Sequence, residues 1–322
     1  MRIVELPEIL AALDEDAALE AVESAFRRLR AFEAQVTAVG HLSFADPPGD
    51  CHIKSGYIAG DEVFVIKVAT SFYRNPSLGI PSSNGFMAVM SAKTGELLGM
   101  LRDQGRLTDL RTAMAGVIAA RAIRHPASNI LGIVGAGTQA RLQARLIARH
   151  LKMTTVLVWA RNPDSATVLA AEVGGASVSL RELCARAALI VTTTPSTEPL
   201  LTSDMITAGK RIVAVGADAP GKRELDPAIL ARARVVVDSC AQCIDHGEAG
   251  WAVRAGLLDA ASLIELGALL TAPIAFATED IVVADLTGVA VQDVAIAKSV
   301  WSRLRTLTCN GPDGILRWQS TI

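Results

Sequence analysis

Three ionisable residues stand where their neighbours argue against a charge. Lys67 follows the apolar run Val63-Phe64-Val65-Ile66, Arg111 lies in the small-residue stretch TDLRTAMAG at 108–116, and Asp218 falls in AVGADAPGK at 214–222, just past a strand-like run. Each alone has a bland explanation. A strand Lys snorkels to water, an Arg in a first helical turn pairs with a surface acid, and an Asp before Pro-Gly shapes a turn. Together they offer two cations for a carboxylate and one anion for an amine, which is the complement of an amino acid.

A second constellation concerns phosphate. Gly135-Ala136-Gly137-Thr138-Gln139-Ala140 is a G-x-G-x-x-A between an apolar strand, Ile130 to Val134, and an Arg/Gln-studded helical stretch. Gly135 permits the tight turn, Gly137 lets backbone approach a pyrophosphate, and Ala140 allows close helix–strand packing, so amide N–H groups face the phosphates. The second strand, VLVWARN, ends with Ala160, Arg161 and Asn162 where an NAD site would carry an acid for the ribose 2′-hydroxyl. A guanidinium there suits a 2′-phosphate, which favours NADP(H), with NAD(H) as the alternative.

Cys240-Ala241-Gln242-Cys243, with His246 following, raises zinc or thiol redox chemistry. Structural zinc needs four ligands and no second C-x-x-C or H-x-H accompanies this one, so packed thiols at a helix start are the simpler reading and no metal site is expected. His52, His125, His150 and His246 show no telling spacing to a Ser or Cys nucleophile, which argues against a hydrolase triad.

The elements that must position these groups change along the chain. Asp14 to about Ala34 carries Leu19, Val22, Phe26 and Leu29 at helical spacing, with Asp14 or Asp16 as the cap. Between Cys51 and Leu101, β-branched or alternating runs broken by Gly, Pro and Asn predict antiparallel strands, with a hairpin at Lys93-Thr94-Gly95. A helix is expected from about Thr108, capped by Thr108 with Arg111 in its first turn, to His125-Pro126. From Asn129, short apolar runs alternating with helical periods describe a doubly wound parallel sheet. Helical spacing returns through Val291, Ala295, Val300 and Leu304.

The 322 residues amount to two domains' worth of chain, and with 51% hydrophobic residues they can bury a large core. Lys plus Arg number 31 against 33 Asp plus Glu without a like-charge block, and aromatics reach only 4%, so neither a phosphate footprint nor a base-stacking platform is present. Nucleic acid and membrane are not expected as partners. Five scattered cysteines do not make a disulfide framework, no secretory leader is expected, and a cytoplasmic location follows.

Lys67, TDLRTAMAG at 108–116, GAGTQA at 135–140, VGADAPGKREL at 215–225, VDS at 237–239 with GE at 247–248, and DLTGVAVQD at 285–293 together resemble the ornithine cyclodeaminase/mu-crystallin family, in the same order and through nearly the whole chain. The resemblance implies an α/β fold in which a Rossmann domain, 121–299, is inserted into an α+β substrate-binding and dimerisation domain, 1–120 plus 300–322. It also implies a homodimer. By the same resemblance Lys67 and Arg111 grip the substrate α-carboxylate, Lys67 assists proton transfer, and Asp218 serves the amine or activates a water. The resemblance assigns Thr193, Thr194, Val215, Thr287 and Gly288, with the glycine turn, to the cofactor. His41, Lys54 and Asn84 join the substrate side.

Two departures bear on the substrate. His41 stands where the family commonly has an Arg, and Lys54 where the ornithine enzyme has a Glu. A Lys would repel the distal amine of ornithine, which favours an NAD(P)H-dependent imine reductase or amino-acid dehydrogenase acting on a small α-imino acid of the pyrroline-2-carboxylate type. Ornithine cyclodeamination is the alternative within the family, and a non-catalytic ligand-binding protein of the mu-crystallin kind is the alternative outside catalysis.

Overall fold

The computed structural model describes residues 1–125 and 129–309, the last three by their backbone alone. Pro126, expected to end the long helix, and residues 310–322 of the expected C-terminal boundary lie outside the described residues. The chain divides into two compact units. The first comprises Met1–Ala25, Phe32–Arg111 and the segment from Ala290; the second comprises Phe26–Ala31 and Thr112–Val289.

The first unit is built on a seven-stranded sheet. Its strands are β1 (Arg2–Glu5), β2 (Ala34–Val36), β3 (Gly40–Phe44), β4 (Gly49–Ile58), β5 (Val63–Phe72), β6 (Ser83–Ser91) and β7 (Leu97–Arg102). Spatial order is β1-β7-β6-β5-β4-β2, with β3 also pairing β4. The expected antiparallel texture holds from β2 to β7, and Gly95, at φ +74°, turns the β6–β7 hairpin. The parallel edge strand β1 was not expected. Four residues alternating Arg, Ile, Val and Glu are too short to show a period, and β7 supplies the pairing that fixes them.

Period-2 alternation places Lys54, Gly56, Val65, Lys67, Met87 and Val89 on one face. The C-terminal helix, Ala290–Cys309, covers that face with buried Val291, Val294, Ile296, Val300, Trp301 and Leu304. Each such burial contributes about 1.5–3 kcal/mol. The helix comes close because glycine stands beneath it. A Cβ at Gly56 would lie 3.1 Å from Val294 Cγ2, and one at Gly99 would lie 2.4 Å from Trp301 Cη2.

The long helix runs over Arg106–Ala122, so it begins before the expected start. Asp103, not Thr108, supplies the cap: its Oδ2 accepts the Leu107 amide at 2.9 Å. Thr108 and Arg111 therefore lie inside the helix. The helix expected from Asp14 spans Glu15–Arg30, with Asp14 Oδ1 accepting the Ala17 amide, and a short helix, Leu6–Ala12, precedes it.

The second unit holds an eight-stranded, wholly parallel sheet: β8 (Ile130–Val134), β9 (Thr155–Trp159), β10 (Ala176–Ser177), β11 (Leu189–Thr192), β12 (Arg211–Ala214), β13 (Ala233–Val237), β14 (Ile264–Glu265) and β15 (Ile281–Asp285). Spatial order is β10-β9-β8-β11-β12-β15-β13-β14. The central strands β8, β11, β12 and β15 are buried on both faces, which is why they read as near-continuous apolar runs. Chain order reverses between β8 and β11, and in such sheets ligands bind beyond the carboxyl ends of the strands at that reversal. This is a Rossmann-type doubly wound fold.

Candidate functional site

In the first unit, Lys67 and Arg111 converge on one carboxylate that the sequence reading had left without a role. Asp293, in the first turn of the C-terminal helix, places Oδ2 2.9 Å from Lys67 Nζ and Oδ1 2.8 Å from Arg111 Nε. All three side chains are at least 94% enclosed, so the pairs gain strength from low dielectric while each ion pays in lost hydration. Gln292 Oε1 accepts from Arg111 Nη1 at 2.8 Å and fixes the guanidinium. Gln292 Nε2 is buried and has no hydrogen-bond partner among the described residues, which leaves a donor beside the two cations.

Lys54 stands directly across from Lys67 in the β4–β5 register, on the same face and buried. Like charges so placed oppose each other. Burial, the Arg111 charge and the Lys54 charge pull the Lys67 ammonium down to about 7, although Asp293 resists. For Asp293 burial pushes upward, but Arg111, Lys67 and Lys54 outweigh it and hold the carboxyl below its ordinary value. The cluster thus keeps a charged acid beside a lysine poised near neutrality. Its arrangement can bind a second anion and exchange a proton.

The other substrate-side candidates do not join this cluster. His41 is exposed and lies against its cross-strand neighbour His52, ring centroids 4.8 Å apart and planes tilted by 51°. Asn84 is exposed on β6, and its Oδ1 accepts the Gly85 amide at 2.8 Å.

In the second unit, the turn at the reversal point is built for an anion. Gly135 sits at φ +128°, and a Cβ there would lie 2.5 Å from Thr193 Oγ1, so only glycine fits. Gly137 has open space around its missing Cβ. It begins the helix Thr138–Leu151, which has no capping side chain and no acid in its first turn, so its amides and dipole face outward. Ala140 is buried against the sheet. Ala136, Thr138 and Gln139 complete the turn. The cradle therefore fits a dinucleotide pyrophosphate.

Arg161 is exposed two residues past β9, while Asn162 caps the helix Pro163–Glu172 by accepting the Asp164 and Ser165 amides. Thr193 bonds back to the Val134 carbonyl, and Val215 is buried with its amide on the Thr192 carbonyl. Asp218 is 44% exposed and pairs with Lys222 Nζ at 2.7 Å.

Four buried carboxylates behind these loops were missed by sequence reading. Glu224 accepts from Thr192, Thr194 and Gly216, and Glu248 accepts the amides of Glu224 and Leu225. Asp285 accepts the Ala249 amide, and Asp238 accepts from Thr287 Oγ1 and the Gly288 amide. Thr287 and Gly288 are thereby held by Asp238. The sequence signal was present as acids inside VGADAPGKREL, VDS, GE and DLTG, but acids in glycine-rich motifs read as turn formers. Cys243, in the helix Cys240–His246, points its Sγ at Asp238 Oδ1, 3.3 Å away, and burial raises its thiol well above the ordinary value. Such a thiol is a packed, unreactive group. No cluster of three metal-binding side chains occurs among the described residues, and none of their helices is long and apolar enough to cross a membrane.

Comparison with known proteins finds relatives that match nearly the whole chain. A cyclodeaminase without assigned function from Sinorhizobium fredii is 38% identical over 90% of this chain and 91% of its own. An archaeal alanine dehydrogenase dimer with bound NAD superposes with a TM-score of 0.88, 30% identity, and coverage of 95% of this chain and 97% of its own. The iminosuccinate reductase of Paracoccus denitrificans in complex with NAD+ gives a TM-score of 0.86 at 30% identity, again covering 95% and 97%. The ornithine cyclodeaminase/mu-crystallin family model matches residues 3–307. A match that takes in both the buried Lys67–Asp293–Arg111 cluster and the glycine turn at 135–140 leaves one assignment: the chain belongs to the ornithine cyclodeaminase/mu-crystallin family.

Proposed function

We propose that the protein is an NAD(P)H-dependent oxidoreductase acting on the C–N bond of a small α-imino or α-amino acid, with cyclic ketimines of the pyrroline-2-carboxylate type as the leading substrates. The enclosed cluster of Lys67, Arg111 and Asp293, with the spare donor of Gln292 beside it, carries this reading. Arg111, fixed by Asp293 and Gln292, binds and orients the substrate carboxylate through charge-assisted hydrogen bonds. Lys67 adds a second positive charge when protonated and, with its ammonium near 7, holds or releases a proton at Nζ close to neutral pH. Asp218 serves the substrate nitrogen as a partly exposed carboxylate.

The turn from Gly135 to Gln139 would hold the pyrophosphate, with Thr193, Thr194, Val215, Thr287 and Gly288 on the loops of neighbouring strands. The bound dinucleotide supplies or accepts hydride at the carbon bearing nitrogen. Arg161 supports a preference for NADP(H), since Ala160, Arg161 and Asn162 follow β9 directly and none of them is an acid that would repel a 2′-phosphate. A homodimer formed through the outward face of the first unit's sheet is supported by Ile3 and Ile53, which are exposed there, by half-buried Phe64, Ile66 and Met100, and by the dimeric alanine dehydrogenase.

Ornithine cyclodeamination is the second reading; the Sinorhizobium relative, described as a cyclodeaminase, supports the reaction class. Lys54, buried across from Lys67, argues against a diamino acid because a distal ammonium would meet like charge. Activity on proline, pipecolate, alanine, ornithine and lysine, and on the corresponding ketimines, measured with both dinucleotides, tests the proposal. Ketimine reduction is the expected outcome. Efficient conversion of ornithine to proline and ammonia with catalytic NAD+ would reverse the ranking.

A further inference from the structure

We propose that Glu224 is a positioning residue for the dinucleotide, its ionised carboxylate clamping together the two loops that leave the carboxyl ends of β11 and β12. The inference rests on the dinucleotide reading of the second unit. Glu224 is fully enclosed, and both its oxygens are used twice. Oε1 accepts the Thr194 amide at 2.6 Å and the Thr194 hydroxyl at 2.8 Å; Oε2 accepts the Thr192 hydroxyl at 2.7 Å and the Gly216 amide at 2.9 Å. One side chain thus ties the end of β11, the loop after it and the loop after β12. Those loops carry Thr193, Thr194, Val215 and Asp218, beside the reversal point where such sheets bind ligands.

Four groups donate to two oxygens, and two of them, the Thr194 and Gly216 amides, can only donate, which favours the carboxylate. Protonation, or an amide in its place, would require a Thr192 or Thr194 hydroxyl to turn from donor to acceptor. The charge has no cationic partner: among the described residues Glu224 hydrogen-bonds to no Lys or Arg. Lys222 turns to Asp218, and Arg223 turns to Glu198. The titratable groups facing it are acids, first Glu248 through the Glu224 amide and beyond it Asp285 and Asp238. Burial raises Glu224 to about 7, against the pull of Thr192, Thr194 and Gly216. The ionised form therefore prevails above neutrality and is lost as pH falls through that value. Asp238 treats the loop after β15 in the same manner, through Thr287 and Gly288.

NADH binding followed by nicotinamide fluorescence from about pH 8 to about pH 6 tests the clamp, and NADH avoids the titrating 2′-phosphate of NADPH. The wild-type dissociation constant should rise as pH falls through about 7. Glu224→Gln should bind about tenfold more weakly at the upper pH and lose the pH dependence, with its far-UV spectrum unchanged. Glu224→Asp should regain the pH dependence and part of the affinity, a rescue that loss of packing alone would not produce. A Gln variant binding as tightly as wild type, or a wild-type constant flat across this range, overturns the proposal; the second result decides even if Glu224→Gln does not fold. Failure of wild type to bind either dinucleotide at any pH would instead remove the cofactor reading and the clamp with it.

Discussion

Asp293 Oδ2 lies 2.9 Å from Lys67 Nζ, and this contact joins β5 to the C-terminal helix at the centre of the first unit's sheet. The pair is not a simple neutral bridge, because the same carboxylate also holds Arg111. Lys67 therefore shares its counter-charge, and burial together with the Arg111 charge brings its ammonium to about 7 instead of the usual range for lysine. A residue so placed can stabilise an incoming carboxylate and still part with a proton.

The first prediction concerns rate against pH. Lys67 is protonated below about 7 and neutral above it, so a reduction that needs a cation and a proton at this site slows as pH rises through that value, and the oxidative direction gains. Lys67→Ala should lower kcat by about 100-fold to 10,000-fold while dinucleotide binding persists. Steady-state kinetics in both directions, with a dinucleotide titration of the variant, checks this; turnover near wild type would remove Lys67 from catalysis.

Replacing the shared acid should move that profile. Asp293→Asn removes the one group that raises the Lys67 value, so the alkaline limb of the reductive profile shifts acidward by about one pH unit or more. Two buried cations also lose their carboxylate, which costs about 3–5 kcal/mol in folding before Lys67 sheds its proton. Thermal melts read the second effect. An unshifted limb would mean that Asp293 does not govern Lys67.

Cofactor choice is expected to follow Arg161. A guanidinium bonded to a 2′-phosphate contributes about 1.5–3 kcal/mol, so Arg161→Ala should cut the NADPH-to-NADH ratio of kcat/KM by about tenfold to 100-fold. The predicted wild-type ratio exceeds unity. A wild-type preference for NADH, or an unchanged ratio in the variant, contradicts the assignment.

Gly135→Ala should cripple the phosphate turn. At φ +128° an L side chain is strained by about 1–3 kcal/mol, and its Cβ would press on Thr193 Oγ1 at 2.5 Å. Dinucleotide affinity should fall by about tenfold or more, while the first unit's cluster stays intact. Equilibrium binding of NADH and NADPH provides the measurement.

The parts legible in the sequence are those whose causes are local. The strand–glycine–helix run from Ile130 to Ala140 announces itself because turn, phosphate amides and packing residue are consecutive. Lys67 and Arg111 stand out as charges in apolar or small-residue company, and the order of motifs supplied their family. Asp293 lies inside one of those motifs, yet its contact with Lys67 depends on a helix from the far end of the chain crossing the sheet, which no window of sequence contains. The same holds for Glu224, whose four donors come from two stretches, 192–194 and 216, separated from each other in the chain. The helix start was misplaced for a smaller reason. Thr108 is an acceptable cap, but Asp103 accepts the earlier Leu107 amide.

The glycines under the C-terminal helix give the reaction centre a mechanical setting. Asp293 rides on the first turn of that helix, one residue before Val294, whose Cγ2 would touch a methyl at Gly56. Gly56→Ala would act as a wedge, lifting the acid from Lys67 without altering any charge, so that a titration curve would report a change in thickness. Proton affinity at the lysine is thus calibrated by how closely a helix can lie on bare backbone.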